Sequence, residues 1–162
     1  MSSIIHLIQA APIPFRIAVT GGRHVGKTTG LMQIYQACVN HQLDAGGFIE
    51  KAVFEDNTRI GYDFVDLVTG EICPVARKKE TGGYTFFDDA WLWAETKMQL
   101  YRHSAILFVD ELGRLEATNH GIMPSLCRSL KDYPRHLIAS VRDDAMDAVE
   151  SLLGTWDAII RV

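Results

Sequence analysis

Short apolar runs alternate along this chain with longer segments in which apolar residues recur every three or four positions. Residues 15–20 form one run, and residues 27–42 follow with Leu31, Ile34 and Cys38 at helical spacing. Residues 105–110 and 136–141 are mostly apolar, as is typical of strands buried on both faces of a parallel sheet. The pattern predicts an α/β fold of three Rossmann-like layers, a mainly parallel sheet flanked by helices on both faces.

After the first predicted helix, the pattern changes to that of successive β-strands. The predicted strands are residues 48–54, 60–68 and 71–76. We therefore expect an antiparallel β insertion over about residues 46–76. Arg77, Lys78 and Lys79 follow as a basic run, for which we predict a solvated loop. Contact of this run with phosphates or with a nucleic-acid backbone is the alternative.

The first fourteen residues precede the first predicted strand as an N-terminal extension. They contain an apolar cluster made of Ile4, Ile5, Leu7 and Ile8. Docking of this cluster on the core is one interpretation, and a surface for self-association is the other.

The composition is that of a small globular protein. Its 162 residues, 48% of them hydrophobic, predict a single domain spanning residues 1–162 and exclude disorder. The net charge of −4 gives no general attraction to nucleic acid or to an anionic membrane. No apolar run approaches the length of a membrane span. Three widely separated cysteines without metal-ligand spacing predict reduced thiols and a cytoplasmic location.

The sequence GGRHVGKTT, between the first predicted strand and helix, has the spacing of a phosphate-binding loop. Backbone N–H groups of such a loop surround polyphosphate oxygens, and the helix N-terminus adds partial positive charge. Lys27 can reach the β- and γ-phosphates, and the Thr28 hydroxyl can ligate Mg²⁺. The candidate nucleotide-binding residues are Gly21, Gly22, Arg23, His24, Val25, Gly26, Lys27, Thr28 and Thr29.

A second informative feature is the acidic pair that ends the run at residues 105–110. In a phosphate-loop enzyme Asp110 is placed to hold Mg²⁺ together with Thr28, as a Walker B residue. Glu111 is then placed to orient or deprotonate the attacking water. We therefore predict Thr28 and Asp110 as metal residues and Lys27 and Glu111 as catalytic residues. A helix cap or a surface acid after an ordinary strand is the alternative.

Three further residues are candidates for contact with the phosphates. Arg114 lies in a predicted loop at residues 113–121 and can act as an internal arginine finger or pair with Glu116. Ser140 and Arg142 end another predicted strand, and open parallel sheets bind ligands at the carboxyl ends of their strands. Both are candidate sensors of the γ-phosphate.

Four segments in order, GGRHVGKTT, GGFIEKAVFEDNTRIGYDFVDLVTGE, GGYTFFDD and ILFVDELGRLE, resemble the THEP-type nucleoside-triphosphatase family of phosphate-loop proteins. The resemblance spans about residues 15–141. It implies slow, Mg²⁺-dependent hydrolysis of several nucleoside triphosphates, with Lys27 and Thr28 as phosphate and metal groups. It also implies Asp110 as the Walker B acid and Glu111 as the catalytic carboxylate.

The chain departs from the family pattern in several places. Glu50 or a neighbour replaces a threonine, Val53–Phe54 replaces a Val-Arg pair, and Arg114 stands where the family often has lysine. These departures bear on substrate preference and on the partner surface, and they leave nucleotide binding in place.

The predicted function is Mg²⁺-dependent hydrolysis of ATP or GTP to the diphosphate and phosphate, with a broad base preference. Two alternatives use the same loop. One is a nucleotide or small-molecule kinase, and the other is a nucleotide-gated binding or adapter module.

Overall fold

The computed structural model describes residues 2–22 and 25–162. Within them the chain forms eight strands: β1 (Arg16–Gly21), β2 (Ala45–Glu55), β3 (Thr58–Asp66), β4 (Ile72–Lys78), β5 (Tyr84–Phe86), β6 (Ile106–Leu112), β7 (His136–Arg142) and β8 (Ala158–Arg161). The helices of the same residues are α1 (Ser2–Ala10), α2 (Lys27–Asn40), α3 (Asp88–Leu100), α4 (Arg114–Ala117), α5 (Met123–Asp132) and α6 (Met146–Leu153), with a 3₁₀ turn at Asp143–Ala145.

All these strands belong to one sheet in the order β5-β4-β3-β2-β6-β7-β1-β8. The five strands from β2 to β8 in this order pair in parallel. The pairs β2–β3, β3–β4 and β4–β5 are antiparallel. The sheet is therefore mostly parallel, with antiparallel strands at one edge.

Both faces of the parallel half are covered by helices. Side chains of β6 alternate between the faces because successive residues of a strand point in opposite directions. Ile106 and Phe108 pack in one cluster with α1 and α2, whereas Leu107 and Val109 pack in the other with α3, α5 and α6. Burial on both sides explains why β6 and β7 have mostly apolar sequences.

Helix α1 lies over the same face as α2. Ile5 and Ile8 are 1% and 3% exposed and share a cluster with Leu31 of α2. This burial agrees with the docked interpretation of the N-terminal segment. None of the helices in the described part of the chain has the length and hydropathy that crossing a bilayer requires.

The antiparallel half differs from the predicted insertion at both ends. Strand β2 pairs in parallel with β6 through residues 45–48 before it turns into the hairpin with β3, so it belongs to the central sheet. At the other end, β5 continues the antiparallel part to Phe86. Sequence alternation marks strands, but it does not show which neighbour each strand pairs with.

Two predicted loops are partly regular structure. Arg77 and Lys78 lie in β4, where Arg77 Nη2 is 2.7 Å from Asp63 Oδ1 on the neighbouring strand. This cross-strand ion pair accommodates a basic residue in the strand, so the loop prediction was wrong there. The predicted loop at residues 113–121 contains α4, because the Glu116 carboxylate accepts the Gly113 N–H and caps that turn.

A buried polar cluster ties the antiparallel half to α3. Asp66, at the end of β3, is 1% exposed and accepts hydrogen bonds from the Tyr101 hydroxyl at 2.7 and 2.9 Å. Lys97 Nζ of α3 lies 2.9 Å from Asp66 Oδ2. The backbone N–H groups of Val68 and Thr69 also bond to this carboxylate. Burial would raise the pKa of Asp66, but these hydrogen bonds, led by that from Lys97, hold it below its ordinary value of 3.8.

The first prediction concerns this cluster. Asp66→Asn should destabilise the protein at pH 7 by roughly 2 kcal/mol, because it leaves the buried Lys97 ammonium with one carboxylate partner fewer. The contribution of a carboxylate with a lowered pKa is present above its ordinary pKa and is lost as the pH falls through the folded value. The deficit should therefore shrink toward pH 3 in urea unfolding.

Asp56→Asn is the matched control. Asp56 is exposed in the β2–β3 turn with φ of 45°, a conformation that asparagine also tolerates. This variant should unfold as the wild type does at every pH. A deficit of Asp66→Asn that stayed constant from pH 7 to pH 3 would contradict the assigned electrostatic role.

Candidate active site

The predicted phosphate loop connects β1 to α2. Gly21 ends β1 where a Cβ would stand 2.6 Å from the Val162 carbonyl oxygen, so only glycine fits. Gly26 precedes α2 with φ of 100°, in the left-handed region that glycine adopts without strain. Gly22, Val25 and Thr29 are exposed around this turn, and Arg23 and His24 lie outside the described residues.

Lys27 is the first residue of α2 and its side chain lies along the loop. It is only 5% exposed, and its Nζ donates to the Gly22 carbonyl oxygen at 3.0 Å. The same Nζ is 3.8 Å from Glu111 Oε1 at the end of β6. The site therefore combines an ammonium group and an acidic side chain with a helix N-terminus, and helix N-termini favour anions.

Asp110 makes more hydrogen bonds than any other side chain of the site, and it is almost fully buried, at 1% exposed. Thr28 Oγ1 donates to its Oδ2 at 2.8 Å, and the Glu50 N–H donates to the same oxygen at 3.1 Å. The Ser140 hydroxyl donates to Oδ1, which also accepts the Glu111 N–H at 3.1 Å. Burial raises the pKa of Asp110, and the Ser140 and Thr28 hydroxyl groups oppose that shift.

Glu111 has an unusual backbone conformation for a residue at the end of a strand. Its φ is 57°, in the left-handed region, and the pairing of β6 with β7 shifts register between Val109 and Leu112. In a regular strand, consecutive side chains point to opposite faces. The irregularity lets Asp110 reach Thr28 while Glu111 stays beside Lys27.

The second prediction tests this backbone strain. A non-glycine residue in the left-handed region costs about 1 kcal/mol, whereas glycine costs little. Glu111→Gly should therefore be about 1 kcal/mol more stable than Glu111→Ala in urea unfolding.

Lys51, an exposed residue of β2, is the control, for which the order of stability should be reversed. There, Lys51→Gly should be less stable than Lys51→Ala, because glycine weakens a regular strand. Equal stabilities for the two Glu111 variants would show that the strain is absent.

Glu50 of β2 is a third carboxylate in the site, and the sequence did not assign it a role. Burial raises its pKa to about 8, with further contributions from Glu111, Asp110 and Glu116 and an opposing one from Arg59. The sequence feature that could have indicated Glu50 is a charged residue directly after the apolar pair Phe48–Ile49. It becomes informative only when β2 is known to lie beside β6.

The predicted sensor residues lie near the site with partners of their own. Ser140 Oγ accepts the Glu111 N–H at 2.8 Å as well as donating to Asp110, so it positions the acidic pair. Arg142 donates to both carboxylate oxygens of Asp144 at 3.0 and 2.8 Å. Arg114 Nε and Nη2 also reach Asp144 Oδ2, at 3.3 Å each. Of the two interpretations of Arg114, the pairing with Glu116 was wrong, because Glu116 is buried and caps α4.

The donor set at Thr28 and Asp110 fits Mg²⁺. A hydroxyl and a carboxylate 2.8 Å apart offer hard oxygen ligands on one side of the loop. Within residues 2–22 and 25–162, no group of three or more His, Cys, Asp or Glu side chains could hold a metal ion. Mg²⁺ sites in nucleotide enzymes commonly use one or two protein oxygens, with phosphates and waters as the remaining ligands.

A cavity of about 660 Å³ opens beside these groups. Its lining residues are Gly26, Lys27, Thr28, Glu50, Ala52, Phe54, Arg59, Tyr62, Tyr84, Glu111 and Arg142. A smaller cavity of about 270 Å³ lies next to it, lined by Gly21, Gly22, Arg114, Arg142, Asp143 and Asp144. Arg142 lines both cavities, so it lies at their border.

Comparison with known proteins gives consistent matches. A family model described as NTPase matches residues 16–157. The nucleoside-triphosphatase THEP1 of Sulfolobus acidocaldarius is 28% identical over 128 residues, which cover 75% of this chain and 74% of that protein. The protein of the same name from Methanopyrus kandleri is 25% identical over 153 residues, or 85% of each chain.

Solved structures match the fold. A solution structure of a human cancer-related nucleoside triphosphatase has a TM-score of 0.73 at 18% identity, covering 91% of this chain and 88% of that one. The crystal structure of THEP1 from Aquifex aeolicus has a TM-score of 0.67 at 18% identity, with the same two coverages. At this identity, the likeness concerns the fold alone.

Proposed function

We propose, from the premise that this chain belongs to the NTPase family, that it hydrolyses the β–γ bond of ATP or GTP with Mg²⁺ and little base preference. Nucleoside-triphosphate hydrolysis itself follows from the family. The observation that carries the finer proposal is the meeting of two distant segments. Lys27 and Thr28 begin α2, and they contact Glu111 and Asp110 at the end of β6.

Each group has a role that its position supports. Backbone N–H groups of the loop and the Lys27 ammonium bind and neutralise the phosphate oxygens. Thr28 and Asp110 would hold Mg²⁺, which when bound neutralises charge on the β- and γ-phosphates. Ser140 fixes the acidic pair through its two hydrogen bonds, and Arg142 or Arg114 can add positive charge at the γ-phosphate.

Glu111 is the group placed to align water for in-line attack on the γ-phosphorus. Its side chain is partly exposed, at 32%, and lines the larger cavity beside Lys27. A carboxylate there can accept a hydrogen bond from water and take its proton as the bond to phosphorus forms. Catalysis of this kind consists mostly of positioning and electrostatic stabilisation.

The sequence contains no Asn-Lys-x-Asp stretch of the kind that reads guanine, so nothing in it points to guanine specificity.

The third prediction separates binding from turnover. Lys27→Ala should sharply weaken triphosphate binding, because it removes the ammonium that neutralises the phosphates. Glu111→Gln should leave affinity nearly unchanged and lower turnover by roughly 10²-fold or more, the scale of a lost general base. Calorimetric affinity and released phosphate are the two measurements.

The matched controls are Lys79→Ala and Glu55→Gln, two exposed residues outside both cavities. Both should bind and hydrolyse as the wild type does. Unchanged turnover in Glu111→Gln would remove Glu111 from the mechanism.

The fourth prediction concerns the metal and the base. ATP, GTP, CTP and UTP should be hydrolysed at rates within about tenfold of one another, since a site that does not read the base distinguishes them by less than about 1.4 kcal/mol, which is tenfold in rate. EDTA should abolish phosphate release, and Mg²⁺ should restore it. A single strongly preferred base, or release that persists in EDTA, would contradict the proposal.

A further inference from the structure

The larger cavity extends well past the groups that a triphosphate needs. Three of its lining residues, Gly26, Lys27 and Thr28, belong to the phosphate loop and α2. Glu50, Ala52 and Phe54 lie on β2, Arg59 and Tyr62 on β3, and Tyr84 on β5. In the sheet order, these strands lie on the far side of β6 from β1. The cavity therefore runs from the loop, past Glu111, to the antiparallel half of the sheet.

The orientation of a bound triphosphate leaves this far part free. A phosphate loop holds the α- and β-phosphates with backbone N–H groups, and its lysine reaches the β- and γ-phosphates. The Lys27 ammonium is 3.8 Å from Glu111, so the γ end of the triphosphate faces Glu111. The nucleoside is attached at the opposite, α end. It consequently leaves the loop away from β2, β3 and β5.

A lytic water alone does not account for so much space. One water occupies about 30 Å³ of liquid volume, against about 660 Å³ for the whole cavity. That volume lies within the range of small-molecule sites, about 300–1,000 Å³. Because six of its eleven lining residues lie on β2, β3 and β5, much of this volume lies beyond the space for the phosphates and has room for an organic molecule next to the γ-phosphate.

The walls of this far part are planar and aromatic. The Tyr62 and Tyr84 rings lie 5.3 Å apart at an interplanar angle of 53°. The Arg59 guanidinium carbon is 5.6 Å from the Phe54 ring centre and 5.6 Å from that of Tyr62. Phe54 remains 57% exposed although it lines the cavity. Aromatic rings and guanidinium planes of this kind stack on flat ligands.

The polar groups at the inner end specify the rest of the ligand. Glu50 and Glu111 both line the cavity there, and both can accept a hydrogen bond from a hydroxyl group. The Glu111 carboxylate disfavours a further anionic ligand at the same point. The chemistry therefore selects an uncharged molecule that carries a flat ring at one end and a hydroxyl group at the other.

We propose that the cavity beyond Glu111 is an acceptor site, in which a nucleoside or another uncharged aromatic alcohol receives the γ-phosphoryl group. The acceptor oxygen forms a bond to the γ-phosphorus while the bond from that phosphorus to the β–γ bridging oxygen breaks. The nucleoside diphosphate leaves with the electron pair, and the hydroxyl proton passes to the Glu111 carboxylate. The products are a nucleoside diphosphate and a phosphate monoester, and hydrolysis is the same step with water as acceptor.

This proposal rests on the proposed function, because both use the loop and Glu111, and one experiment separates them. The wild-type protein is incubated with γ-³²P-labelled ATP and Mg²⁺, alone and with adenosine, thymidine, benzyl alcohol or 3-pyridinemethanol. Without an acceptor, the label should appear as inorganic phosphate. With at least one of these compounds, part of the label should appear as an organic phosphate monoester.

Variants of the cavity wall form the fifth prediction. Tyr84→Ala and Phe54→Ala should each lower the ratio of monoester to inorganic phosphate by roughly tenfold, the effect of one lost stacking partner. Phe54 is exposed, so its removal leaves folding intact. Tyr133→Ala is the control, because Tyr133 contacts His103 near the end of α5, outside both cavities.

The possible results distinguish the two proposals. Label that stays entirely in inorganic phosphate with every compound overturns the acceptor site and leaves hydrolysis intact. A monoester ratio that neither wall variant changes also overturns it. Absence of phosphate release without an acceptor contradicts the hydrolase proposal, while monoester formation in the same series supports the acceptor site.

Discussion

The buried carboxylate of Asp110 is the interaction on which this structure depends. It accepts hydrogen bonds from the Thr28 hydroxyl, the Glu50 N–H and the Ser140 hydroxyl. These groups lie on α2, β2 and β7, so one side chain of β6 joins four elements. Removing a buried carboxylate leaves its hydrogen-bond donors unsatisfied, which costs far more than the net value of any single bond. The position of the phosphate loop relative to the sheet is consequently fixed from inside the protein.

The second constraint is the irregular backbone at the end of β6, which departs from regular strand geometry. Two consecutive acids of one strand reach the same side of the sheet only if the strand is irregular, and the register shift and the left-handed Glu111 provide this. Strain of this kind persists where surrounding packing determines the conformation. Here Leu112 is fully buried directly after Glu111, and Val109 is fully buried before Asp110. The core holds both ends of the irregular segment.

The residues that the sequence grouped by spacing are brought into contact by the fold, while their roles stay predictions. Lys27 and Thr28 follow from the loop pattern, and Asp110 follows from an acid at the end of a buried strand. Glu50 could not be recognised, because its role depends on β2 lying beside β6, and strand neighbours are decided by tertiary packing. Pairing of Arg114 with Glu116 was one of two interpretations of that residue, because the two are close in sequence. In the fold, the capping of α4 takes Glu116, and Asp144 is the nearer partner.

Asp144 affects how readily Arg142 can bind a ligand at the loop. Its one carboxylate serves as the counter-ion of two guanidinium groups, Arg114 and Arg142, at the border of the loop. An incoming phosphate that recruits Arg142 must displace this internal anion, so it exchanges one electrostatic partner for another. Asp144 is 46% exposed and Arg114 is 73% exposed, so water screens these ion pairs and the exchange costs little. The two guanidinium groups are therefore held beside the loop at a small cost of release to a phosphate.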